Sequence, residues 1–167
     1  MAAPQRFWLL KTEPTAYSLD DLKRDGRTGW GGVRNYQARN LLRDELKPGD
    51  GILFYHSNAE PPGVAGLARV TRGGHPDPTA WRKGDVHFDP ASTPTRPVWF
   101  QVEIEFTERF PRFVPLEEIR ACHELQDMVL LKRSRLSVQP LEKHHFDRIA
   151  RMGRRTSTGS ARPAEAR

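Results

Sequence analysis

A chain of 167 residues with 37% hydrophobic content and 14 prolines suits one compact domain with its own core, and excludes both a membrane-embedded chain and a simple helical bundle. The net charge of +6 is uneven, since residues 151–167 hold five Arg and one Glu and leave 22 basic and 20 acidic residues in 1–150. Basicity in the body is therefore a matter of local clusters. The first such cluster lies between Asp25 and Asp44, an acid-free gap with Arg27, Arg34, Arg39 and Arg43, and the second between Asp127 and Glu142, with Lys132, Arg133 and Arg135. Residues 1–6 read as a flexible lead. Phe7-Trp8-Leu9-Leu10-Lys11-Thr12 follows as a short apolar run stopped by Glu13-Pro14, the pattern of a buried strand ending in a polar corner. Ser18-Leu19-Asp20-Asp21 predicts a capped helix start, with Asp25-Gly26 closing that helix.

The central stretch is Gly29-Trp30-Gly31-Gly32-Val33-Arg34-Asn35, where glycines frame a Trp and leave its indole uncrowded. Trp30 is the candidate stacking platform. From Asn35 the spacing of Ala38, Leu41, Leu42 and Leu46 predicts a helix, with Asn35, Arg39 and Arg43 on another line. Gly51 to Ser57 alternates as a central strand, Ile52, Phe54 and His56 on one face and Leu53, Tyr55 and Ser57 on the other. Residues 64–70 form a further strand, in which Gly66 marks a bulge or close approach. Residues 73–97, rich in Gly, Pro, Asp and Thr, read as a loop too long for a hairpin, and long loops are usually functional or mobile. A strand over 98–106 puts Val98, Phe100, Val102, Ile104 and Phe106 on its core face. Trp8 and Trp99, inside strands, are assigned to packing.

Pro115 opens a short helix. Leu136 and Val138 then point inward along a strand whose other face, Arg135, Ser137 and Gln139, is polar. Leu141, His145, Ile149 and Met152 support a last helix, so the domain spans 7–152 and residues 153–167 are expected to be a basic disordered tail. The class is α+β, with short, mostly antiparallel strands in a curved or barrel-like sheet surrounded by helices. No run of about 18 apolar residues is present and residues 1–6 lack a signal-like apolar run, so no membrane attachment is expected. The lone Cys122 has no disulfide partner. The expectation is a cytoplasmic monomer, nucleoid-associated in a bacterium.

Leu10-Lys11-Thr12-Glu13-Pro14, the stretch from Trp30 to Asn40, Phe54-Tyr55-His56-Ser57-Asn58 and Arg135-Leu136-Ser137-Val138-Gln139-Pro140 together resemble the EVE domain family. The resemblance runs from about Phe7 to Met152. It implies a PUA-like pseudo-barrel, kin to the YTH and ASCH domains, that accepts a base in a pocket and reads modified bases in DNA or RNA. The long loop and the Arg-rich tail lie outside it.

That implication has a physical mechanism. A base must leave the duplex, or come from a single strand, to reach a pocket, and stacking on an aromatic side chain returns about 1–3 kcal/mol per base. Identity then needs fixed hydrogen-bonding groups at the base edge. Thr12, Asn35, Ser57 and Ser137 are the polar candidates, with Tyr55 and His56 beside them, although Asn35 also suits a helix cap and His56 a packed strand position. Arg34 and Arg39 are candidate phosphate contacts, Lys11 and Arg135 further rim cations. His144-His145 with Asp147 offers poor metal geometry because adjacent helical residues diverge, and the glycines at 29–32 and 73–74 match no nucleotide loop, so neither metal nor cofactor is expected. A rival reading is an enzyme, glycosylase- or nuclease-like, using Glu13 or His56 as acid or base.

Overall fold

The computed structural model describes residues 4–133 and 135–155. Strand β1, Phe7–Thr12, is followed by helix α1, Leu19–Asp25, and β2, Arg27–Trp30; α2, Tyr36–Asp44, leads to β3, Gly51–His56, and β4, Gly63–Pro76. After a 3-10 turn at Pro78–Trp81 come β5, Phe100–Pro115, α3, Leu116–Ala121, β6, Val138–Leu141, and α4, Lys143–Arg154. The strands form one sheet in the order β2-β5-β4-β3-β1-β6, antiparallel throughout except for β1 beside β3. The α+β class and the mostly antiparallel pairing are as the sequence predicts. The sheet is open, with β2 and β6 as its edges.

Side-chain alternation divides the core in two. Trp8 and Leu10 of β1 and Ile52 and Phe54 of β3 face a cluster with Leu19 and Leu22 of α1 and Ala38 and Leu42 of α2. Leu9, Leu53 and Tyr55 face the other way, onto Ile119 of α3 and Ile149, Ala150 and Met152 of α4. Two helices thus cover each face. Buried Asp50 fixes the start of β1, accepting from the Trp8 indole at 2.9 Å, from Arg6 N–H at 3.1 Å and from Lys47 N–H at 3.0 Å.

Most expected elements are present, with four differences, the first being that β4 runs to Pro76, paired with Phe100 of β5, so the loop expected over 73–97 is strand over its first four residues. Strand β2 replaces the expected irregular glycine stretch before Trp30, pairing Arg27 to Trp30 against Glu105 to Val102 of β5. The core strand begins at Phe100 rather than Val98 and continues to Pro115, because Val98 donates to Ser92 Oγ and its carbonyl accepts from Arg39 instead of joining the ladder. Helix α4 continues two residues past Met152, with Arg154 paired in two-pronged fashion to Glu108 at 2.9 and 2.7 Å. The expected tail from 156 onward lies outside the described residues. Gly66 does mark a bulge: both neighbouring ladders shift register around it, and a Cβ there would lie 2.2 Å from the Glu108 carbonyl oxygen. Among the described residues, no helix is long and apolar enough to cross a membrane.

Candidate functional site

A cavity of about 450 Å³ opens where the ends of β1, β2 and the chain entering β6 converge, within the roughly 300–1,000 Å³ typical of small-molecule pockets. Lys11 and Thr12 come from the end of β1, Thr28 to Trp30 from β2, and Gly31 to Arg34 from the segment leading to α2. Ser137 and the Ala16-Tyr17 corner complete one side; His87 closes another. A backbone bond from Lys11 N–H to the Ser137 carbonyl, 2.9 Å, extends the β1–β6 pairing and brings these two residues to the same rim.

Trp30 serves two masters. It is only 8% exposed and joins the core through edge contacts with Phe54, at 5.4 Å between ring centroids, and Tyr17, at 6.3 Å, yet it also lines the cavity. The indole is thereby held by the core in one orientation. Thr12 donates its hydroxyl proton to the Tyr17 carbonyl at 3.0 Å, so its oxygen is left as an acceptor at the wall. The Ser137 hydroxyl bonds to no described residue and is open to either role. Burial lowers the pKa of the Lys11 ammonium, whose Nζ lies 5.5 Å from the Tyr55 ring centroid. The Tyr17 phenol is pushed up to about 12 by burial and by its hydrogen bond to Asp25, so it stays a neutral hydroxyl.

Asp77, which sequence reasoning missed, organises the mouth. Its side chain is fully buried and accepts from Gly32 N–H at 2.7 Å, Thr79 N–H at 3.0 Å, the Thr79 hydroxyl at 2.7 Å and Arg34 Nη1 at 3.2 Å. Burial pushes this carboxyl up, but the bonds from Gly32, Thr79 and Arg34 together outweigh it and hold it below the usual carboxylate range. Arg34 in turn donates Nε and Nη2 to the His87 carbonyl at 3.2 and 2.7 Å. Gly32, at φ +72°, is packed so closely that a Cβ would sit 2.7 Å from His87 Nε2. The loop from Asp77 to Trp99 is thus tied to the Trp30 stretch. The legible signal was Asp77-Pro78-Thr79, a capping aspartate before a Pro-opened turn; nothing in the sequence marked His87.

Of the predicted residues, Lys11, Thr12, Trp30, Arg34 and Ser137 meet at this cavity. Asn35 caps α2, accepting from Ala38 N–H at 2.9 Å, and joins Gln37, Lys132, Arg133, Arg135 and Leu136 in a second, basic cleft of about 270 Å³. Arg39 donates to the Val98 carbonyl at 2.7 Å and lies over the Tyr36 and Trp99 rings. Tyr55 is buried on the opposite face of the sheet. His56 lines a separate cavity with Asp20, Arg109 and Phe113, and its Nε2 accepts from Leu19 N–H at 3.1 Å. Ser57 is half-buried and hydrogen-bonds through its backbone to the Thr12 carbonyl at 2.8 Å. Alternation explains the division: consecutive residues on β3 cannot share one wall.

Glu13 is exposed, its carbonyl closing the turn to Ala16 and Tyr17. His145 forms a group with Asp127 and His144 whose ligand atoms lie within 4.8 Å of one another, but Nδ1 accepts from Glu142 N–H and Nε2 pairs with Asp127 at 2.8 Å. Both nitrogens are occupied, Nδ1 in the cap of α4 and Nε2 by Asp127. Asp147 pairs with Lys143 at 2.6 Å.

The chain matches the EVE domain model over residues 6–152. It is 41% identical to human thymocyte nuclear protein 1, over 84% of this chain and 70% of that protein. Among solved structures, a hypothetical protein from Leishmania major superposes with a TM-score of 0.87 at 43% identity, covering 90% of this chain and 95% of that one. Human THYN1 protein in complex with 5-methylcytosine-containing DNA superposes with a TM-score of 0.85 at 38% identity, covering 92% of this chain and all of that one. The likeness takes in β1, the Trp30 stretch and the chain around Ser137 together, and on that extent the chain belongs to the EVE domain family.

Proposed function

We propose that the protein is a DNA-binding module that accepts a modified base, of the 5-methylcytosine kind, in the cavity walled by Trp30. The observation that carries this reading is the cavity itself: a fixed indole, the Thr12 acceptor, the open Ser137 hydroxyl and the Arg34 guanidinium converge on a space of small-molecule size, with Lys11 at its rim. Its supporting likeness is to a protein solved with DNA carrying that modification. A flipped base stacked on Trp30 recovers about 1–3 kcal/mol, comparable to the few kcal/mol spent in unpairing it. The Thr12 oxygen suits the exocyclic amino group of a cytosine, a hydrogen-bond donor. Gly32 and Val33 leave apolar wall for a methyl group.

Binding rather than turnover is the activity proposed. Among the described residues, the cavity lining holds no carboxylate, Glu13 lies outside it, and His56 has its Nε2 committed to α1. The reading places the protein wherever such DNA is found, as a monomer in the cytoplasm or at a nucleoid. The test is equilibrium binding to matched duplexes with cytosine, 5-methylcytosine or other modified cytosines and adenines, and to RNA of the same sequence, with products analysed by mass spectrometry. Tighter binding of one modified DNA without product supports the reading. Equal affinity for every base, preference for RNA, or release of a base without added factors overturns it.

A further inference from the structure

The exposed large apolar side chains of the described residues are Tyr36 at 61%, Val86 at 91% and Phe88 at 37%, two of them flanking the cavity-lining His87 in sequence and the third two residues beyond the cavity-lining Arg34. A single exposed Val is ordinary on a protein surface. Here all three lie within two residues of cavity-lining residues in the chain, and the residue between two of them, His87, is part of the cavity wall. Tyr36 stacks on Trp99 at 5.0 Å between centroids and 22° between planes, and Arg34 lies 5.1 Å from that Trp99 ring while its guanidinium holds the His87 carbonyl.

The tip is also fixed rather than left to wander. His87 N–H donates to the Asp85 carboxylate at 2.8 Å and Phe88 N–H to the Asp85 carbonyl at 3.0 Å, closing a tight turn with Val86 at its apex. Asp89 N–H donates to the Ala80 carbonyl at 2.7 Å, and the Asp89 carboxylate accepts from the Trp99 indole at 2.6 Å. An apolar side chain displayed on a pinned turn has lost its conformational freedom before any partner arrives.

We propose that this turn is an insertion wedge: Val86 enters the stack of a DNA duplex and fills the space left by the base drawn into the cavity, with Tyr36 and Phe88 against the flanking nucleotides. The inference rests on reading the cavity as a base pocket, and it commits the partner to a duplex. A stack with a base removed opens a gap of about 3.4 Å per missing layer, the thickness of an aliphatic side chain, and proteins that unstack DNA do so with apolar wedges of this kind. Arg34 and Arg39, beside Tyr36, supply positive charge toward the adjacent phosphates.

The test compares the wild-type protein with Val86→Ser and Val86→Leu on two probes: a duplex with one central 5-methylcytosine, carrying 2-aminopurine opposite the neighbouring base, and the same modified strand alone. Val86 is exposed, so neither substitution threatens the fold. The wedge predicts that Val86→Ser loses about tenfold in duplex affinity and most of the 2-aminopurine fluorescence rise, keeps its single-strand affinity within about twofold, and that Val86→Leu restores both duplex readouts. Unchanged duplex binding by Val86→Ser, or an equal loss on both probes, overturns the wedge and leaves the pocket standing. If the wild-type protein fails to prefer the modified strand over its unmodified counterpart in either form, the pocket reading falls and takes the wedge with it.

Discussion

At the scale of single residues, the mouth depends on atoms with little slack. Asp77→Ala would leave the Arg34 guanidinium and the Gly32 and Thr79 donors without their buried acceptor, and removing one partner of such a pair costs about 3–5 kcal/mol. Urea denaturation checks the figure, with Asp77→Asn separating the loss of charge from the loss of an acceptor. Because the folded carboxyl titrates below its ordinary value, the stabilisation is complete above about pH 3.9 and is lost as pH falls through the folded value. The acid limb of the wild-type stability curve should therefore shrink in Asp77→Asn. Gly32→Ala adds a strained left-handed φ, about 1–2 kcal/mol, to a collision with His87. In a double-mutant cycle with His87→Ala, only the collision should be relieved. Thr12→Val removes the wall acceptor for an exocyclic amino group that cytosine and 5-methylcytosine share, so in equilibrium titrations both duplexes should bind about 3- to 10-fold more weakly while the preference between them holds.

At the scale of elements, α1 reports on pH. His56 accepts a bond from the first amide of α1, which requires a neutral ring nitrogen, and burial lowers its pKa, with the nearby charge of Arg109 adding to that and Asp20 opposing it. The unfolded chain takes up protons below about pH 6.5 that the folded ring resists, so this contribution is present above that value and declines as pH falls. The protection factor of the Leu19 amide, its exchange rate divided into the intrinsic rate at the same pH, should fall between pH 7.5 and 5.5, and a His56→Gln variant should show no such fall. Elements were also where the sequence was most readable. Ser18 with Asp21, and Asn35 ahead of Ala38, announced their helices through side chains that bond to the neighbouring backbone, a purely local signal. Strand β2 was hidden because it is only four residues long and Gly29 breaks its side-chain pattern; what makes it a strand is pairing with Glu103 and its neighbours about 75 residues later. The same limit explains the site. Lys11, Thr12, Trp30, Arg34 and Ser137 sit at element ends where polarity stands out, whereas His87 matters only because the loop folds back onto Gly32, a contact with no periodicity to reveal it. The Tyr55-His56-Ser57 run shows the opposite error, in which sequence neighbours were grouped although a strand sends them to different faces.

At the scale of the whole molecule, the sheet separates work from support. One face and its edges carry the cavity and the cleft of Lys132, Arg133 and Arg135, while the other is covered by α3 and α4. If the cleft tracks the DNA backbone, each Arg→Ala or Lys→Ala there should lower the slope of log affinity against log salt by about one and weaken modified and unmodified duplexes alike. Titrations between low and physiological salt measure both. Substitutions under α3 and α4 should shift melting temperature without altering base preference. The Asp77 clamp carries a kinetic consequence as well. With the Gly32–Arg34 stretch and the Asp77–Thr79 turn already drawn together by one carboxylate, the base-pocket reading leaves the protein no closing step to perform, so the waiting time for capture should follow how often the base pair opens by itself. Destabilising the pair with a mismatch would then hasten association, while loosening the protein would not.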